Sequence, residues 1–138
     1  MWRDRSGAAS LEFALVVPIF LLLLVGVIVY GQYFAIRIAV VHAASEGARA
    51  SVMGLDETER QSNAKTRVDE VMKGYAPLVT VTAGNPNVTA ASTADASGVF
   101  KVTVAYTIPT VGFVDLSSLV PSPNGLVTYT ATASYGGY

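Results

Sequence analysis

Apolar residues are arranged along this chain in three distinct ways. From Phe13 to Ile36 they are nearly continuous, with 24 residues free of formal charge and four leucines in a row from Leu21 to Leu24. From Asp56 to Tyr75 they recur with helical spacing: Ala64, Val68, Val71, Met72 and Tyr75 fall at i, i+4, i+7, i+8 and i+11. Beyond Leu78 they alternate with hydroxyl-bearing residues, the period of a strand with one face covered. The pattern therefore predicts one long apolar helix, one amphipathic helix and a sheet.

At 1.5 Å per residue the charge-free segment makes a helix of roughly 36 Å, against a bilayer hydrocarbon core of about 30 Å. A transmembrane span is the first reading, with a buried helix of a soluble protein as its competitor. A cleaved secretory signal is a further competitor. Against it stand an apolar run longer than the usual stretch of about 7 to 15 residues, no clear small-x-small cleavage site following it, and Glu12 at its leading edge. Arg3 and Arg5 precede the span, so the positive-inside bias predicts residues 1–6 in the cytoplasm and the remainder exported.

The helical pattern continues past the span, with no proline between Pro18 and Pro77. Gly31, Ala35, Ala39, Ala43, Gly47 and Ser51 recur at every fourth position. Small side chains let another helix approach closely, although such a stripe drifts by about 40° per step and alanine is a good helix former in any setting. Arg37, His42, Glu46 and Arg49 lie on other faces, with His42–Glu46 at i, i+4 and Glu46–Arg49 at i, i+3. Gly54 ends this helix. Asp56 is placed as the N-cap of the next, Glu57 and Glu59 form an acidic first turn, and Lys73, Gly74 and Pro77 mark its end.

From Leu78 to the C-terminus only Asp95, Lys101 and Asp115 are charged, and threonine occurs ten times. Strands are expected near 78–83, 99–108 and 126–135, joined by loops over 84–98 and 109–125. In the second strand Phe100, Val102, Val104, Tyr106 and Ile108 share one face. In the third, Val127, Tyr129, Ala131, Ala133 and Tyr135 oppose a row of threonines.

Composition narrows the chemistry. Hydrophobic residues make up 51% of the chain and charged residues 14%, and nine basic against ten acidic residues leave a net charge of −1. No basic patch suits a nucleic acid. The absence of cysteine removes disulfides, thiolate nucleophiles and cysteine zinc sites, and the single His42 with Glu46 is two ligands short of a metal site. No nucleophile elbow, phosphate loop or dinucleotide glycine pattern occurs. Neither an enzyme nor a cofactor, metal or small-molecule substrate is expected.

The stretch Gly7-Ala8-Ala9-Ser10-Leu11-Glu12-Phe13-Ala14-Leu15-Val16-Val17-Pro18, with the leucine run behind it, resembles the N-terminus of type IV pilin-like precursors. The similarity is greatest to the TadE-like minor pilins, or pseudopilins, of tight-adherence (Tad/Flp) pili. The segment Ala43-Ala44-Ser45-Glu46-Gly47-Ala48-Arg49-Ala50 is similar to the Glu-Gly-Ala-Arg segment such proteins carry after their membrane helix. The resemblance implies a prepilin peptidase cutting between Gly7 and Ala8, with Glu12 then fifth in the mature chain. There it would face the new ammonium group in subunit docking. It also implies hetero-oligomeric assembly with other minor and major pilins at the bacterial inner membrane, with pilus incorporation a further step. The expected function is a structural subunit in pilus initiation or tip formation. An unprocessed membrane-anchored binding module, such as an adhesin or envelope scaffold, is the alternative.

The expected architecture is α+β: a leader (1–7), a transmembrane and stalk helix (8–54), and an exported head (55–138). The head holds helix 56–75 and an antiparallel sheet of three or more strands. Gly31, Ala35, Ala39, Ala43 and Gly47 are the expected helix-packing positions.

Overall fold

Helix α1 runs unbroken from Ser6 to Ser51, through Pro18, over roughly 69 Å. The computed structural model describes residues 6–93, 98–109 and 125–135. Helix α2 (Glu57–Lys73) follows after a tight turn, and strands β1 (Asn87–Ser92), β2 (Val99–Thr107) and β3 (Leu126–Ser134) complete an α+β fold. The strands form one antiparallel sheet in the order β1-β2-β3.

The turn between the helices admits no side chain at one position. A β-carbon on Gly54 would stand 2.6 Å from the backbone nitrogen of Arg60, so glycine is required by the close return of the chain. Asp56 caps α2 as its sequence position predicts, accepting a hydrogen bond from the Glu59 amide at 2.7 Å. The Glu59 carboxylate in turn accepts from the Leu55 amide at 2.8 Å. Both ends of this reciprocal arrangement satisfy amides that a helix start leaves unpaired.

The sheet register gathers its apolar positions on one side. Phe100 pairs with Ala133, Val102 with Ala131, Val104 with Tyr129 and Tyr106 with Val127, while Val88 and Ala90 of β1 meet Val104 and Val102. Phe100, Val102, Val104 and Tyr106 are wholly buried. They lie beneath the helices, with α1 over β2 and β3, and α2 over β1. The other side carries Thr89, Thr103, Thr128, Thr130 and Thr132, and the hydroxyls of Thr103 and Thr130 bond across the strands at 2.8 Å.

Two expectations change. The segment 78–83 is not a strand, and the first strand is Asn87–Ser92, inside the stretch expected as a loop. Val79 is buried, with Leu78 and Val81 packed beside it, and the Tyr106 hydroxyl accepts a hydrogen bond from the Thr80 amide at 3.1 Å. Side-chain burial and one phenol thus satisfy the alternation without a ladder. Asn85 then acts as a strand residue through its side chain: Nδ2 donates to the Thr107 carbonyl at 2.7 Å and Oδ1 accepts from the Thr107 amide at 2.9 Å. This fixes the register at which β1 joins β2 two residues later.

The second change concerns the boundary drawn at 54/55. Ile36, Ala39, Val40, Ala43, Ala44 and Ala48 of α1 are part of the same core as Ala64, Val68 and Met72 of α2 and the buried strand residues. The C-terminal part of α1 is therefore a wall of the head and not a separate stalk. Most of the expected loop 109–125, and residues 1–5 with Arg3 and Arg5, lie outside the described residues.

Candidate membrane and assembly site

Helix α1 has two halves that differ in what covers them. From Ile36 onward every turn has buried residues, whereas between Gly7 and Ala35 none of the described side chains is buried. In that first half large apolar groups stand open, among them Leu11 at 73%, Phe13 at 71% and Leu15 at 70% exposure, followed by Ile19, Phe20 and the leucine run. The helix is long and apolar enough to cross a membrane. About 25 residues of uncovered apolar helix form a larger apolar surface than a water-soluble protein ordinarily leaves open, and their length matches the hydrocarbon of a bilayer.

At the start of this half, Gly7 is exposed and a β-carbon there would meet nothing within 4 Å. Ala8 follows within the same helix. Glu12 is exposed one and a half turns further on, and none of the ion pairs among the described residues includes it. Gly7, Ala8 and Glu12 thus share the first turns of α1, at its end remote from the head.

The stripe of small residues divides at the same point as the helix. Gly31 is exposed and Ala35 half-buried, while Ala39, Ala43 and Gly47 are buried within the chain. A β-carbon on Gly47 would lie 2.7 Å from Val68 Cγ2 and 3.2 Å from the Ala64 carbonyl oxygen. The close approach that small residues permit is therefore made at Gly47 by α2 of the same chain. Of the expected helix-packing positions, Gly31 and Ala35 are the ones not buried within the chain.

The Glu-Gly-Ala-Arg segment takes its physical meaning from this crossing. Glu46 accepts a hydrogen bond from Arg67 of α2 at 3.1 Å and pairs with Arg49 at 3.9 Å, while Arg67 also reaches Glu70 at 3.2 Å. Gly47 admits Val68, and Ala48 is buried. His42 does not pair with Glu46 but lies 3.0 Å, through Nδ1, from the Tyr75 hydroxyl. The segment locks α2 onto α1 through the Gly47–Val68 contact, and the partly exposed ion pairs add little to it.

Sequence reasoning missed a polar cluster at the other end of α2. The Glu57 carboxylate accepts from the Ser92 amide at 2.9 Å and from the Ser92 hydroxyl, which also contacts the Tyr135 hydroxyl at 2.8 Å. Arg60 lays its guanidinium 3.8 Å from the centre of the Tyr135 ring. The Ser92 hydrogen bonds hold the Glu57 carboxyl below its ordinary range. Residues 57, 92 and 135 are 35 and 43 positions apart, so no local pattern announces the cluster. Among the described residues, no group of three or more His, Asp and Glu is placed to hold a metal ion.

No curated protein and no solved structure matches the chain. A family model does: that of TadE-like protein, over residues 7–49. The match begins at the Gly7 threshold and ends at Arg49 of the Glu-Gly-Ala-Arg segment, so the similarity to the TadE-like family covers the helix that carries both motifs.

Proposed function

We propose that this chain is a structural subunit, a minor pilin or pseudopilin of a Tad pilus. In this reading a prepilin peptidase cuts between Gly7 and Ala8, and the product joins other minor and major pilins to initiate or tip the pilus for surface adherence. The observation that supports the reading most is the open apolar half of α1 within the TadE-like match. A helix whose apolar surface is uncovered on all sides suits two environments in turn, lipid before assembly and neighbouring helices after it.

The cut would leave an ammonium group on Ala8, with Glu12 fifth in the mature chain. Neither charge is compatible with hydrocarbon by itself, an acidic group at the bilayer centre costing about 2.5–3.5 kcal/mol. Glu12 of one subunit facing the ammonium of the same or a neighbouring subunit compensates both. Gly31 and Ala35 offer the open small-residue contact between helices. Arg3 and Arg5 favour a cytoplasmic N-terminus and an exported head.

Mass spectrometry of the chain produced together with an active prepilin peptidase tests the proposal. The expected mature N-terminus is Ala8. Retention of Met1 under those conditions would instead favour an unprocessed membrane-anchored binding module.

A further inference from the structure

We propose that the cleft between α1 and β3 is an interfacial phospholipid site, in which Arg37 holds the phosphate of a lipid in the leaflet on the side of the head. The inference rests on the reading of Phe13–Ile36 as a membrane span, and it does not depend on which way the span is oriented.

The cleft has a volume of about 250 Å³ and is lined by Tyr33, Arg37 and Val41 of α1 and by the start of β3, from Leu126 to Tyr129. The three helix residues are spaced four apart, so the cleft runs along the helix axis. It crosses the level at which the charge-free segment ends, since Ile36 is its last member and Arg37 the first charge beyond it. When the helix spans a bilayer, this level is the boundary between hydrocarbon and headgroups.

The lining places a cation at that boundary. Arg37 is exposed, and the ion pairs among the described residues are made by Arg49 and Arg67 and leave it out. Its planar fork of donors matches a phosphate oxygen pair. Leu126 of the lining is 58% exposed, and Phe34 and Ile38, on the neighbouring face of α1 outside the cleft, are exposed at 56% and 62%. Such groups suit the glycerol backbone and first methylenes of an acyl chain. Tyr33 and Tyr129 join the two regions, each with an apolar ring and a polar tip, the residue type that concentrates at membrane interfaces. A carboxylate on another protein would match the charge of Arg37, but not the coincidence of the cleft with the end of the span.

Native mass spectrometry of the full chain tests this, after reconstitution in vesicles of phosphatidylethanolamine and phosphatidylglycerol and gentle release into detergent. Arg37→Gln should lower lipid retention about fivefold, the weight of one basic residue at an anionic surface. Arg37→Lys should fall between the two. Arg49→Gln, which removes an exposed cation at the far end of α1, should retain lipid like the parent chain. Equal retention by Arg37→Gln, equal loss in Arg49→Gln, or a mass increase from inorganic phosphate in place of lipid would overturn the proposal. Alkaline carbonate extraction of the vesicles separates the two levels of inference. A chain that resists extraction but binds lipid independently of Arg37 refutes the site alone, and a chain released by carbonate refutes the span together with the site.

Discussion

Gly47 of α1 and Val68 of α2 meet so closely that a β-carbon on the glycine would stand 2.7 Å from Val68 Cγ2. The valine methyl could turn away, but the Ala64 carbonyl oxygen at 3.2 Å belongs to a helix backbone and cannot. Gly47→Ala gains about 1 kcal/mol in helix propensity and incurs an overpacking cost of about 1–3 kcal/mol. The expected outcome is a net loss of up to about 2 kcal/mol in the head, measured by thermal unfolding in detergent, and a Gly47→Ala, Val68→Ala double variant that loses less than the two single variants together. A rise in melting temperature for the single variant would show that α2 does not cross α1 at this glycine.

The shared core makes a second prediction, about where the chain can be cut. A fragment of residues 55–138 lacks Val40, Ala43, Ala44 and Ala48, and Phe100, Val102 and Val104 would lose the helix that lies over them. Such a fragment should show no cooperative unfolding transition. A fragment of residues 33–138, which restores the packed half of α1, should unfold cooperatively. Circular dichroism with heating distinguishes the two, and a cooperative transition in the shorter fragment would mean that the head is complete without α1.

Glu57 makes stability depend on pH in a stated direction. Its folded carboxyl is held below the ordinary value of 4.5, first by the Ser92 hydroxyl and then by the Ser92 amide. A depressed folded value means that the stabilisation is fully present above about 4.5 and is lost as the pH falls through the lowered value. Melting temperature should therefore fall on acidification below that point, and Glu57→Gln should flatten this part of the profile, because the amide accepts hydrogen bonds without titrating. An unchanged profile in the variant would assign the acid sensitivity to other carboxylates.

Glu12 is predicted to act between subunits and not within one. Its side chain is exposed on the open half of α1, and among the described residues every buried one lies at Ile36 or beyond. Glu12→Gln should leave the unfolding of the head and the cut after Gly7 unchanged while reducing recovery of partner pilins in pull-downs, since an amide cannot compensate an ammonium group. Wild-type recovery of partners would place Glu12 as a solvated residue at the membrane edge.

The sequence by itself determined which residues belong to each regular element wherever the pattern was long and one-sided. The charge-free run needs no partner to be read, because its length and composition alone match a bilayer. The apolar faces of β2 and β3 follow from a period of two, and the Asp56 cap from its place before an amphipathic run. What only the tertiary structure decided was which elements share a core. Small residues at every fourth position promise a close helix contact but do not say whose helix makes it. The chain answers with its own α2 at Gly47, because the turn held by Gly54 folds α2 directly back along α1. The same holds for β1, where Val79 and Val81 alternate like a strand, yet their burial is met by Tyr106 and the core. The ladder position beside β2 goes to Asn87–Ser92, which Asn85 sets in register through a side chain that no periodicity reveals. Periodicity reports that a face will be buried, whereas the covering partner depends on distances between residues far apart in the chain.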